Sequence, residues 1–131
     1  DYRINLITTV PPEYPDIYGD RDKLKQVFIN LISNAIKYNQ KGGQIIISAE
    51  MYENEHQITV KDNGLGMSPE TVKHLFERFY RSHRTEDQIQ GTGLGLSICK
   101  KIIENHNGRI SVKSEPNFGT EFEIWLPYKA H

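Results

Sequence analysis

Three stretches of this chain carry side chains whose types and spacing could do chemistry. The first holds Asn30, Asn34, Lys37 and Tyr38. With Leu24 at zero and 100° per residue, they fall at roughly 240°, 280°, 220° and 320° around a helix, while the apolar residues centre near 20–30°. The polar set therefore flanks the buried face. Two amides, an ammonium and a phenol along one edge can line a pocket beside a core, although a solvated helix flank has the same pattern. The second stretch is Asp62-Asn63-Gly64-Leu65-Gly66. Ile58, Val60 and Asp62 share one parity, so the carboxylate points to the buried side of a strand, where it needs a partner. The glycines that follow allow close backbone approach to a ligand, though Asp-Asn-Gly is also an ordinary turn sequence. The third is Gly91-Thr92-Gly93-Leu94-Gly95-Leu96, which leads into a helix. Exposed backbone N–H groups and a helix N-terminus make an anion cradle suited to phosphate. The G-x-G-x-G spacing after a polar loop fits neither the dinucleotide fingerprint nor a P-loop.

The elements that must position these residues can be read coarsely. Alternation over Arg3–Val10 predicts a strand, broken by Pro11, Pro12 and Pro15, with a short second strand at Ile17-Tyr18-Gly19. Asp20 or Asp22 caps a long helix to about Tyr38, its apolar face being Leu24, Val27, Phe28, Leu31, Ile32, Ala35 and Ile36. Gln44–Met51 and Gln57–Asp62 form a hairpin whose turn spans Glu53-Asn54-Glu55-His56. Ser68-Pro69 starts a short helix to about Phe76. Residues 78–92 are polar and aperiodic, a long loop. A second main helix runs from about Gly93 to His106, stopped by Asn107-Gly108, with Cys99 on a buried face beside Leu94, Ile98 and Ile102. Arg109–Ser114 and Thr120–Leu126 make a last hairpin, in which Trp125 alternates with Phe122, Ile124 and Leu126 and so faces outward or toward a neighbouring domain. Antiparallel pairs with separate helices predict one sheet covered by helices on one face.

Composition limits the classes of function. The 131 residues suit a single domain with one core. Sixteen basic residues face seventeen acidic ones, for a net charge of −1, which speaks against a dedicated binder of nucleic acid or of a membrane surface. A lone cysteine excludes an internal disulfide. No apolar run approaches a membrane span and no signal peptide is visible. A start at Asp1 with a strand-like segment suggests a piece of a longer protein.

Taken together and in order, the segments resemble the ATP-binding catalytic domain of two-component sensor histidine kinases, a branch of the GHKL superfamily with the Bergerat fold. Asn30–Tyr38 resembles the N box, Asp62–Met67 the first glycine box, Phe76-Glu77-Arg78-Phe79-Tyr80-Arg81 the phenylalanine box, and Gly91–Leu96 the second glycine box. The resemblance covers nearly all of residues 1–131, as one domain. It implies a two-layer α/β (α+β) sandwich, its sheet mixed and largely antiparallel, with helices on one face and an ATP lid at about 78–92. It implies Mg-ATP bound between the first long helix and that lid. Asn34 is then the Mg²⁺ ligand, Asn30 shares the same polar shell, Lys37 meets phosphate and Tyr38 packs on adenine. Asp62 accepts from the adenine amino group, where guanine would present an opposing lone pair. Gly64 and Gly66 let the chain pass close to the base. Arg81, with Tyr80 beside it, reaches the γ-phosphate, and Gly91, Thr92, Gly93, Leu94, Gly95 and Leu96 close around the phosphates. Phe76 and Phe79 anchor the lid.

Related ATPases of the mismatch-repair, gyrase and chaperone type carry a water-activating glutamate four residues before the metal asparagine. Here that position is Asn30, a poor base, so the resemblance implies phosphoryl transfer with weak hydrolysis. The acceptor would be a histidine on a separate dimerisation domain, with relay to a response regulator. None of His56, His74, His83, His106 and His131 sits in such a context. His56 reads as a turn residue and His106 as a packed or capping one. The expected setting is the cytoplasmic part of a membrane-anchored, dimeric bacterial sensor, the domain itself being monomeric and free of nucleic acid and membrane contact. An anti-sigma-type serine kinase shares the nucleotide boxes, and a nucleotide-sensing module without transfer activity is a reading of a different class.

Overall fold

The computed structural model describes residues 5–37, 39, 43–76 and 95–128. Among them the order is β1 (Asn5–Thr9), α1 (Arg21–Lys37), β2 (Gln44–Tyr52), β3 (Glu55–Asp62), α2 (Pro69–His74), α3 (Gly95–Asn105), β4 (Arg109–Glu115) and β5 (Gly119–Pro127). The strands form a single five-stranded sheet in the order β1-β2-β3-β5-β4. β1 runs parallel to β2, with α1 as the crossover between them, and the other three pairings are antiparallel. The expected mixed sheet with helices on one face is the fold observed.

Alternation does the sorting. His56, Ile58, Val60 and Asp62 of β3 are buried, as are Thr120, Phe122, Ile124 and Leu126 of β5. The apolar ones among them form one core with Leu24, Val27, Leu31 and Ala35 of α1 and Cys99, Ile102 and Ile103 of α3. Ile36 and Ile98, assigned to apolar faces by spacing, are instead exposed, because each sits at the margin of its buried stripe. The opposite face of the sheet is mostly polar, with Gln57, Thr59, Lys61, Glu121 and Glu123 among its residues. There Trp125 faces outward as expected, with the Arg109 guanidinium 4.6 Å from its ring centroid and Arg109 paired to Glu55 at 3.0 Å.

Helix ends follow their sequence signals. Asp20, not Asp22, caps α1: its carboxylate accepts from Lys23 N–H at 3.1 Å. Ser68 caps α2 by accepting from Thr71 N–H, with Pro69 at the first helical position. Beyond α3, Asn107 adopts φ 63° and Gly108 N–H returns to the Ile103 carbonyl at 2.9 Å.

Two expectations are corrected. Ile17-Tyr18-Gly19 is not a strand. Three prolines remove donors from the segment before it, and Tyr14 and Ile17 pack on the core instead of pairing with an edge. Nor is His56 a turn residue. The β2–β3 turn is only Glu53-Asn54, with φ 49° and 65°, the two left-handed positions of a type I′ hairpin. His56 therefore lies within β3, fully buried, its Nδ1 2.8 Å from the Tyr14 hydroxyl and its ring between those of Tyr14 and Tyr128.

Candidate functional site

Asp62 ends β3 opposite Thr120 of β5 and Ile45 of β2. Only 8% of its surface is exposed. Burial pushes its carboxyl pKa up from the ordinary value, and hydrogen bonds from the backbone of Gly64 and Thr120 pull the other way. The Gly64 N–H donates to Oδ1 at 2.8 Å. A carboxylate in this position is oriented and half-satisfied, with acceptor capacity left for a ligand donor.

The loop after Asp62 is braced from both sides. Asn63 Oδ1 accepts from Gln44 N–H at 2.7 Å, and Leu65 carbonyl accepts from Asn117 N–H at 2.6 Å. Met67 N–H donates to Ser114 Oγ at 2.9 Å. Gly66 has φ +71°, and a Cβ there would collide with the Glu115 carbonyl. Close passage beside the β4–β5 turn is thus a constraint on that glycine in addition to the room for a ligand read from the sequence.

A pocket partly open to solvent gathers the lower part of the site. Asn34 and Ala35 come from α1, Asp62 from β3, Gly66 and Met67 from the braced loop, Leu75 from beyond α2, Leu96 from α3, and Thr120 and Phe122 from β5. Three polar groups converging on an apolar lining is the ordinary make-up of a small-molecule site. Phe76 packs beside it, edge-on to Phe122 at 6.4 Å between centroids.

Of the residues singled out by sequence, the structure brings Asn34, Asp62, Gly66 and Leu96 into this pocket. Gly64 is buried just behind it as the donor to Asp62. Asn30 lies one turn before Asn34, and Gly95 faces it: a Cβ on Gly95 would stand 3.8 Å from Asn30 Oδ1. Lys37 is exposed on the last turn of α1 and does not line the pocket. Tyr38, Phe79, Tyr80, Arg81, Gly91, Thr92, Gly93, Leu94 and the expected lid at 78–92 lie outside the described residues.

Residues 19–130 match the family described as histidine kinase-, DNA gyrase B-, and HSP90-like ATPase. The chain belongs to that family. Within it, the sensor histidine kinase YvrG of Bacillus subtilis is 45% identical over 112 residues, 86% of this chain and 19% of the relative. The chain thus spans about a fifth of the length of that relative. The catalytic domain of histidine kinase ThkA superposes with a TM-score of 0.81 at 33% identity, covering 95% of this chain and 80% of that one. Full-length ShkA in complex with AMPPNP gives 0.83 at 26% identity, over 98% of this chain and 26% of that one. This ATPase domain is thereby of the histidine kinase catalytic type, with the five-stranded α+β fold of those neighbours.

Sequence reasoning missed Thr120, Phe122, Met67 and Leu75 as lining residues of this pocket. Thr120 and Phe122 share the parity of Ile124 and Leu126, so the alternation of β5 contained that signal. The register that sets Thr120 against Asp62 is tertiary and has no local signature. Among the described residues no group of three His, Cys, Asp or Glu side chains is placed to hold a metal ion. Asn34 lines the pocket and Asn30 lies one turn before it, so their amide oxygens are neutral donors beside it. That set fits Mg²⁺ arriving with phosphate and water ligands, and does not fit a cation caged by carboxylates.

Proposed function

We propose that residues 1–131 form one nucleotide-binding catalytic domain that takes Mg-ATP and passes its γ-phosphoryl group to a histidine on a separate dimerisation domain of the same sensor protein, for relay to a response regulator aspartate. The observation that carries this reading is the buried Asp62 carboxylate, fixed by Gly64 N–H on the wall of the pocket that Asn34 enters. Asp62 accepts the adenine amino group. A guanine would place a carbonyl oxygen against the carboxylate and leave a buried acceptor unpaired, which is strongly disfavoured. Asn34, with Asn30 beside it, holds Mg²⁺, which when bound offsets phosphate charge. Lys37, Tyr80 and Arg81 meet the phosphates, Tyr38 packs on the base, and Gly91–Leu96 closes over the chain of phosphates. In the transfer the imidazole nitrogen of the acceptor forms the new bond to the γ-phosphorus, and the bond to the bridging oxygen breaks, leaving ADP. Arg81 stabilises the charge on the moving group. Asn30 is a neutral amide where a hydrolase needs a base, which favours transfer over hydrolysis.

The broader setting, a dimeric and membrane-anchored sensor with this domain on the cytoplasmic side, is part of the same proposal. No described helix is long and apolar enough to cross a bilayer.

The test mixes this chain with a separately made histidine-bearing dimerisation domain and γ-labelled ATP. Acid-labile label on the partner's histidine is expected. Nucleotide binding without transfer to any cognate partner would leave a nucleotide-sensing module, and label on serine would mean the anti-sigma-type activity.

A further inference from the structure

Cys99 takes no part in the chemistry above, yet it is fully buried where α3 packs on α1. Its Sγ receives a hydrogen bond from Asn30 Nδ2 at 3.6 Å and donates one to the Val27 carbonyl at 3.8 Å. The thiol is thus a relay between two points on one face of α1, one residue being a backbone carbonyl and the other the amide at the edge of the nucleotide site. A thiol has one S–H donor and a sulfur that accepts, so at this point it can donate and accept together.

An asparagine amide has a donor end and an acceptor end, and rotation about its last bond exchanges them. Turning Nδ2 inward to Sγ turns Oδ1 outward. In the structure Oδ1 is the Asn30 atom nearest to where a Cβ on Gly95 would lie, at the start of α3. That is the end a metal–phosphate group needs, since only an oxygen can ligate a hard cation. With an alkyl group in place of sulfur, nothing inward would favour one end over the other, and the donor would face the phosphates for part of the time.

We propose that Cys99 is a positioning residue: its buried thiol fixes the Asn30 amide with the oxygen facing the nucleotide. The proposal rests on Asn30 belonging to the Mg-nucleotide shell. Mg-ADP binding is measured by calorimetry for the wild type, Cys99→Val, Cys99→Ser, Asn30→Ala and the Asn30→Ala/Cys99→Val double variant, each below its melting temperature. Cys99→Val is expected to weaken binding about fivefold, the ratio one neutral hydrogen bond sustains. Cys99→Ser, which keeps a donor and an acceptor at that point, is expected to stay within about twofold of the wild type. In the Asn30→Ala background Cys99→Val should have no further effect. The same loss in both backgrounds, or no loss in either, would show that Cys99 only packs. Failure of the wild type to bind Mg-ADP sinks the site reading itself. Binding by the wild type that Asn30→Ala leaves untouched removes Asn30 from the shell and the thiol's role with it.

Discussion

Asp62 is held in a place that disfavours its charge, and two backbone N–H groups keep that charge affordable. Its remaining acceptor sites lie on the pocket wall, where the proposed ligand would bring a donor. Asp62→Asn replaces one oxygen with a donor, so the side chain can no longer meet the adenine amino group with both lone-pair directions. Loss of a charge-assisted hydrogen bond weakens adenine nucleotide binding by roughly 10- to 100-fold. Guanine nucleotide affinity should fall much less, since the opposing lone pair has been replaced by an N–H. The ratio of ADP to GDP affinity, taken from competition against a fluorescent nucleotide, checks this, and an unchanged ratio contradicts the role. Asn34→Ala should remove the dependence of binding on Mg²⁺ while leaving metal-free binding close to that of the wild type, which titrations with and without EDTA would read.

At the scale of elements, what could be read in advance was what is encoded locally. The spacing of Leu24, Val27, Leu31 and Ala35 fixes the buried face of α1, and the parity of Ile58, Val60 and Asp62 fixes which way the carboxylate points. Ser68-Pro69 and Asn107-Gly108 announce helix ends through their own chemistry. Hidden features depend on partners far along the chain. Thr120 faces Asp62 only because β5 pairs with β3, and the Glu53-Asn54 turn lacks the Asn-Gly signal that normally marks a type I′ hairpin. The two site glycines show the same division. Gly66→Ala places a Cβ on the Glu115 carbonyl at positive φ, which should cost about 1–3 kcal/mol and loosen the loop that holds Asp62. Among the described residues Gly95→Ala meets only Asn30, at ordinary contact distance, so its thermal unfolding should match or exceed that of the wild type. Any loss of nucleotide affinity it causes then belongs to the site and not to the fold. Paired melting and binding curves for the two variants separate these outcomes.

For the whole molecule, the two ends of β3 set opposing pH responses. His56 is buried at one end, where desolvation lowers its pKa from 6.5 while the Asp16 backbone opposes the shift. Below 6.5 the unfolded chain takes up a proton that the folded imidazole resists, so stability falls as pH drops through this window. Asp62 is buried at the other end with its pKa raised above 3.8. Just above that value the folded state holds the extra proton, so stability falls as pH rises toward the folded pKa. The two slopes have opposite signs and partly cancel on the acid side of neutrality. Denaturant unfolding between pH 4 and 7 can separate them. His56→Gln, which can still bond the Tyr14 hydroxyl, should flatten the gain in stability with rising pH, whereas Asp62→Asn should steepen it. Because the residues are far apart on one strand and share no partner, the double variant should show the sum of the two changes in slope. A double variant that departs from that sum would mean that the tyrosine-lined end of the sheet and the nucleotide end are coupled through β3.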